Sequence, residues 1–174
     1  MAKKVIRISK LTPEAVNKAI EEIREYRRDL QTKVAELTRR LAEVGVQAIR
    51  VTMAGVDGET AGSWSTDYET ISEDEDVYTV KYVLSGEKVA FVEFSAGITH
   101  GIPGAAYPLD AGKEFGYGTY NPDSDNWKNP KGWVYIGDDG LPHRTWGNPA
   151  YEPVYHSTEA VKQKVGEIVR EVFS

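Results

Sequence analysis

Three histidines, one carboxylate inside an apolar stretch and no cysteine bound the chemistry open to this 174-residue chain. His100, His143 and His156 stand in a glycine-rich loop, a strand and the mouth of a helix, and none stands at i, i+4 from another histidine. That spacing gives no zinc signature, even with Asp110 or Glu93 added. Glu93 lies in VAFVEFSAGITHG, residues 89–101, which reads as a strand running into a loop, with Phe91 and Glu93 on one face. A buried carboxylate there could be a catalytic acid, a salt-bridge partner or a structural strand end. Acid–base catalysis needs a positioned second group; Glu87, the neighbouring carboxylate in sequence, sits in a turn, and His100 or His143 would have to complete a hydrolase. DSDNW and GDDG resemble calcium loops but never reach the required bidentate glutamate, so they read as turns. No nucleophile elbow, phosphate loop or dinucleotide fingerprint is present. No catalytic, metal-binding or cofactor-binding residues are expected, and without cysteine neither disulfides nor thiolate sites exist.

The elements that would position these residues are legible in part. One domain, 1–174, suits the length. Thr12, Pro13 and Glu14 are a cap, a first-turn proline and an acid at the positive end of a helix dipole. From there Val16, Ile20, Ile23, Leu30, Val34, Leu37, Leu41 and Val44 repeat at helical steps, and Gly45 reads as the stop of a helix ending at residue 45. Its apolar seam is expected to pack on its own domain. VQAIRVTMAG then reads as a strand, residues 56–76 as an acidic loop, and residues 77–84 with 89–96 as a hairpin turning at Ser85–Gly86. Residues 97–132, broken by Pro103, Pro108, Pro122 and Pro130, read as a long insertion loop. GWVYIGDDGLPHRTWG reads as a second hairpin, and residues 157–173 as a closing helix capped by Ser157 or Thr158, with Val161, Val165, Ile168, Val169 and Val172 inward. The expected fold is α+β: two helices on a mainly antiparallel sheet of about five strands, carrying a long aromatic, Pro- and Gly-rich loop.

Charge is uneven. Residues 1–50 hold 12 Lys/Arg and 7 Asp/Glu, whereas residues 51–76 hold 8 Asp/Glu and no cation. A basic segment followed by an acidic one can pair within a chain or between copies. The overall charge of −6 disfavours nucleic acid. No secretory signal and no membrane span are expected. Residues 107–155 carry ten of the eighteen aromatics; among prolines and glycines these can form a sugar platform, a protein interface or a small core pinning a loop.

Several segments together resemble the tail-completion family of long-tailed bacteriophages: AFVEFSAGI, a Gly/Pro/Tyr-rich stretch, GWVYIGDDG, and TWGNPAYEPVYHSTEAVKQKVGEIV. The family's strand reading Val-Glu-Phe-Gly-Thr-Gly corresponds to Val92–Gly97, with Ser95–Ala96 in place of Gly-Thr. Its small-Pro-Ala-x-x-Pro element corresponds to Gly147–Pro153, while residues 56–76 have no family counterpart. The resemblance implies a structural, non-enzymatic virion protein: a tail terminator or head–tail joining piece forming a ring, sixfold by analogy, at the head-proximal end of the tail tube. Its implied partners are tail-tube and neck or head-closure proteins, with no membrane and no sequence-specific nucleic acid. Its implied location is the virion, after assembly in the host cytoplasm. Candidate interface residues are Glu93, Tyr107, Phe115, Tyr117, Trp127, Trp133, Arg144, Trp146 and Tyr151, with Glu93 expected to pair with a cation such as Arg144. The alternative is a carbohydrate- or cell-wall-binding module using Trp127, Trp133 and Trp146.

Overall fold

The computed structural model describes residues 5–8, 10–74, 77–94, 133–136, 139–145 and 150–174. It is a mixed helix-and-sheet fold. A long helix, α1 (Pro13–Ala54), is followed by one turn, α2 (Gly58–Ala61), then strands β1 (Trp64–Asp74) and β2 (Val77–Gly86), and a short helix, α3 (Val89–Phe94). After the insertion come β3 (Trp133–Ile136), β4 (Pro142–Thr145) and the closing helix α4 (Pro153–Phe173). The 97–132 loop lies outside the described residues.

The start of α1 is the expected one: the Thr12 side chain accepts from the Ala15 N–H at 3.3 Å, with Pro13 in the first turn. The end is not. The helix runs nine residues past Gly45 to Ala54, 42 residues and about 63 Å in all. VQAIRVTMAG is therefore helix and not strand. Its Val46, Ile49 and Met53 continue the buried stripe begun at Ala42, at helical spacing. The apolar seam expected to be covered is only partly so: Ile20 and Ile23 remain 40% and 55% exposed.

Gly45 has a packing role instead. A Cβ there would lie 3.0 Å from the Tyr82 ring of β2. The Tyr82 hydroxyl reaches on to Thr158 Oγ1 of α4 at 3.2 Å. Since the Thr158 hydroxyl donates to the Val154 carbonyl, Tyr82 is the donor to Thr158. One aromatic side chain thus joins hairpin, long helix and closing helix. Helix α4 runs antiparallel to α1, with Arg40 paired to Glu171 near one end. At the other end Ala160 and Thr52 line the same groove.

Residues 64–74, read as part of an acidic loop, form β1. It pairs antiparallel with β2, from Trp64↔Gly86 to Asp74↔Val77, with a bulge between Thr70 and Ser72. The first hairpin is thus β1–β2, and residues 89–94 form α3 and not its second strand. The second hairpin stands as expected, Trp133↔Thr145 to Ile136↔Pro142. Among the described residues these make two separate two-stranded sheets, and a five-stranded sheet is not shown. The core joins α1, α2 and α3 through Ile49, Met53, Val56, Ala61 and Val92, with Trp64, Tyr82, Leu84 and Tyr151 packed against it. On α4, Ile168 of the expected inward stripe is buried, whereas Val165 is 40% exposed.

Candidate functional site

The geometry that organises the chain's motifs is a junction between α3 and the start of α4. Helix α3 has six residues, too few to be stable alone, and is fixed by Val92, which is fully buried in the core. The Val92 carbonyl accepts from the Tyr151 N–H at 2.8 Å. Beside it, the Glu93 carboxylate accepts from the Val154 N–H at 2.8 Å through Oε2 and from the Tyr155 N–H at 3.1 Å through Oε1.

These contacts account for every donor in the first turn of α4. Pro153 at the first helical position has no N–H to satisfy. The next two N–H groups, normally served by a capping side chain, go to Glu93. The His156 N–H makes the first helical bond, to the Glu152 carbonyl, at 2.9 Å. Glu152 occupies the cap position without a side-chain cap bond. A carboxylate 61 residues away in sequence supplies that cap and also faces the positive end of the helix dipole.

Glu93 is 5% exposed and sits on a helix, so the expected strand-end residue paired to Arg144 is corrected: its two oxygens bind backbone at α4, while Arg144 is an exposed residue of β4 opposite Val134. Helix α4 begins at Pro153, four residues before the expected cap. Ser157 and Thr158 do not cap it; their hydroxyls donate back to the Val154 carbonyl. Glu152 is left-handed, at φ 53° and ψ 45°, although a residue before proline ordinarily adopts extended backbone. That strain, on the order of 1–2 kcal/mol, is held by the bonds on either side of it.

Of the other candidate interface residues, Tyr151 packs against the core and Trp133 lies in β3 opposite Thr145. Tyr107, Phe115, Tyr117, Trp127 and Trp146 lie outside the described residues, as does His100. His143 pairs through Nε2 with both oxygens of Asp139, at 2.9 Å, across the β3–β4 turn. Asp139 also accepts from the Leu141 N–H at 2.9 Å. That N–H first, and His143 second, hold the Asp139 carboxyl below the usual carboxylate range. Because the folded value is the lower one, its stabilisation of the turn is complete above about pH 4 and vanishes as pH falls through the lowered value. An NMR titration should find the Asp139 carboxyl midpoint depressed and the Leu141 amide moving with it; an ordinary midpoint would remove this turn lock.

Among the described residues, grooves flank α1 on two sides. One, about 620 Å³, lies between α1 and α4, with Val44, Ala48, Val51 and Ile168 in its wall and Arg40 and Lys164 among its polar residues. The other, about 330 Å³, lies between α1 and the first hairpin. Among the described residues no group of three or more His, Cys, Asp or Glu could hold a metal, and no helix is long and apolar enough to cross a membrane. The arrangement around Glu93 is suited to fixing a helix start. Comparison with protein families, with curated proteins and with solved structures gives no match to this chain.

Proposed function

We propose that this chain is a non-enzymatic building block of a long-tailed bacteriophage virion, completing the tail or joining it to the neck as one subunit of a ring. One observation carries the reading. Two of the motifs that carry the resemblance, Val92–Glu93 and the Pro-Ala-x-x-Pro element ending at Pro153, stand some sixty residues apart and meet where the Tyr151 N–H donates to the Val92 carbonyl, while Glu93 accepts the Val154 and Tyr155 N–H groups directly after the element. Their co-occurrence has a physical reason: one supplies the cap that the other needs.

The same geometry favours a structural role for Glu93 over a catalytic one, since both its oxygens already accept backbone donors. Exposed apolar side chains on α1 and the hairpins, such as Ile23, Ile71 and Ile136, at 55%, 58% and 68%, supply surface for partners. The partners are the tail tube and neck or head-closure proteins, and the 97–132 insertion is a contact arm toward them. Removing the coding sequence from a phage that carries it should leave tails uncapped or heads unjoined in micrographs, with the purified chain restoring completion. Normal particles without it, or turnover of a small molecule by the purified chain, would overturn the reading.

A further inference from the structure

The charge asymmetry in the sequence is not resolved within helix α1. Many of its cations are matched by acids one turn away, as in Arg24–Glu21 at 2.6 Å, Lys33–Asp29 at 3.8 Å and Arg39–Glu36 at 2.8 Å. The surplus lies in the arm ahead of α1, where Lys3, Lys4, Arg7 and Lys10 stand with no acid in residues 1–12. The described part of that arm, Val5–Ile8 and Lys10–Thr12, belongs to no helix or strand. Three of its apolar side chains are in the open, Val5 at 59%, Ile8 at 46% and Leu11 at 90% exposed, whereas Ile6 is half-buried. Arg7 and Lys10 are exposed and have no acidic partner among the described residues.

The complementary surface is β1. It carries Asp67, Glu69, Glu73 and Asp74 and no cation, with Glu69 paired to Lys81 of β2 at 3.2 Å. Among the described residues it pairs with β2 alone, so apart from the Thr66 carbonyl, which accepts from Arg50, and the Tyr68 N–H, which donates to Asp67, its outer edge has no strand partner. Asp67 accepts from its neighbour's N–H and has no cationic partner among the described residues. Ile71, on the same strand, is 58% exposed. Acids along an edge keep two such edges from pairing with each other, and a cationic strand neutralises them.

We infer that the cationic arm of one copy adds as a strand to the acidic β1 edge of a second copy, lysine and arginine against aspartate and glutamate. A second copy is the occupant because the arm's own hairpin is poorly placed to receive it. The hairpin meets α1 beside Thr32, where Thr70 and Tyr78 line the shared groove. That level is about 28 Å along the helix from Pro13. The nine residues from Lys4 to Thr12, about 30 Å when extended, would be used up returning there, and Arg7 and Lys10 would fall short. Arm and edge are different surfaces, so the contact is head-to-tail, the type that closes into a ring or runs on as a filament. The inference deepens the building-block reading and rests on it.

Charge reversal on either side tests it in the full-length chain. One variant carries K4E, R7E and K10E, and the other D67K, E69K and E73K. Wild type should gain mass with concentration at low ionic strength and lose that association at about 1 M salt, where screening is within roughly 3 Å. Each variant alone sets like charges against each other and should associate at least about tenfold more weakly. Their equimolar mixture restores both junctions, acidic arm on basic strand and basic arm on acidic strand, and should return to within about threefold of wild type. Recovery in the mixture also shows that both variants fold, and circular dichroism checks each alone. A mixture that stays at monomer mass overturns the arm–strand contact. Association of wild type that ignores both reversals also overturns it, while leaving the building-block reading standing. A wild type that remains monomeric at every concentration overturns the contact as an intrinsic property of the chain.

Discussion

Glu93→Ala is expected to destabilise the fold by about 3 kcal/mol, because two part-buried backbone donors lose a charged acceptor at once. Each such bond contributes roughly 1.5–3 kcal/mol, and water entering the vacated space recovers part of the loss. In a domain of this size that corresponds to a fall in melting temperature of roughly 6–12 °C. Glu93→Gln should lie between the two at about 1–2 kcal/mol, since one amide oxygen still accepts while the amide NH2 faces the second donor. The local signature is sharper than the global one. Amide exchange at Val154 and Tyr155, the two donors, should quicken in Glu93→Ala more than at Ile168, deeper in the same helix. Stability within about 0.5 kcal/mol of wild type, with unchanged exchange at those two amides, would remove Glu93 from the role of cap.

The difficulty of reading that role from the sequence is physical. A cap within its own helix is local: Thr12–Pro13–Glu14 could be recognised because the hydroxyl and the donor it serves are three residues apart. For α4 the acceptor arrives from α3, and nothing local to VEF marks it as a capping group. The same limit explains the misplaced elements. VQAIRVTMAG is rich in β-branched residues and follows a glycine, so propensity favours a strand. What keeps it helical is tertiary, the burial of Val46, Ile49 and Met53 in line with Ala42. VAFVEF is too short and too apolar for its period to separate strand from helix. In β1 an alternation was present, with Thr66 and Tyr68 buried or half-buried between exposed Ser65, Asp67 and Glu69, but the acids and the shortage of aliphatic side chains made it look like a linker. The second hairpin, β2 and α4 were legible because alternation, turn residues and helical spacing agreed with the packing that followed.

Gly45 carries the second large effect, and it separates a helix stop from a packing contact. Were Gly45 a left-handed helix stop, any side chain there would cost about 1–2 kcal/mol, alanine as much as leucine. In the middle of α1, replacing glycine by alanine should gain about 1 kcal/mol of helix propensity. The added methyl, 3.0 Å from the Tyr82 ring, would push that ring by a few tenths of an ångström, so Gly45→Ala should fall near zero. Gly45→Leu cannot be absorbed by so small a shift. It must displace Tyr82 and break its bond to Thr158, at a net cost of about 2–3 kcal/mol. Tyr82→Ala alone should cost about 3 kcal/mol through the lost ring, which packs against the core. Joined in one chain, the leucine fills space the ring has left, so the double variant should be more stable than the sum of its parts by about 1–2 kcal/mol. Urea unfolding of the four proteins measures this directly. Additive losses, or a Gly45→Leu variant as stable as wild type, would mean that Tyr82 does not bear on this glycine; strong coupling would show that the helix continues through residue 45 because the hairpin's aromatic ring closes against it.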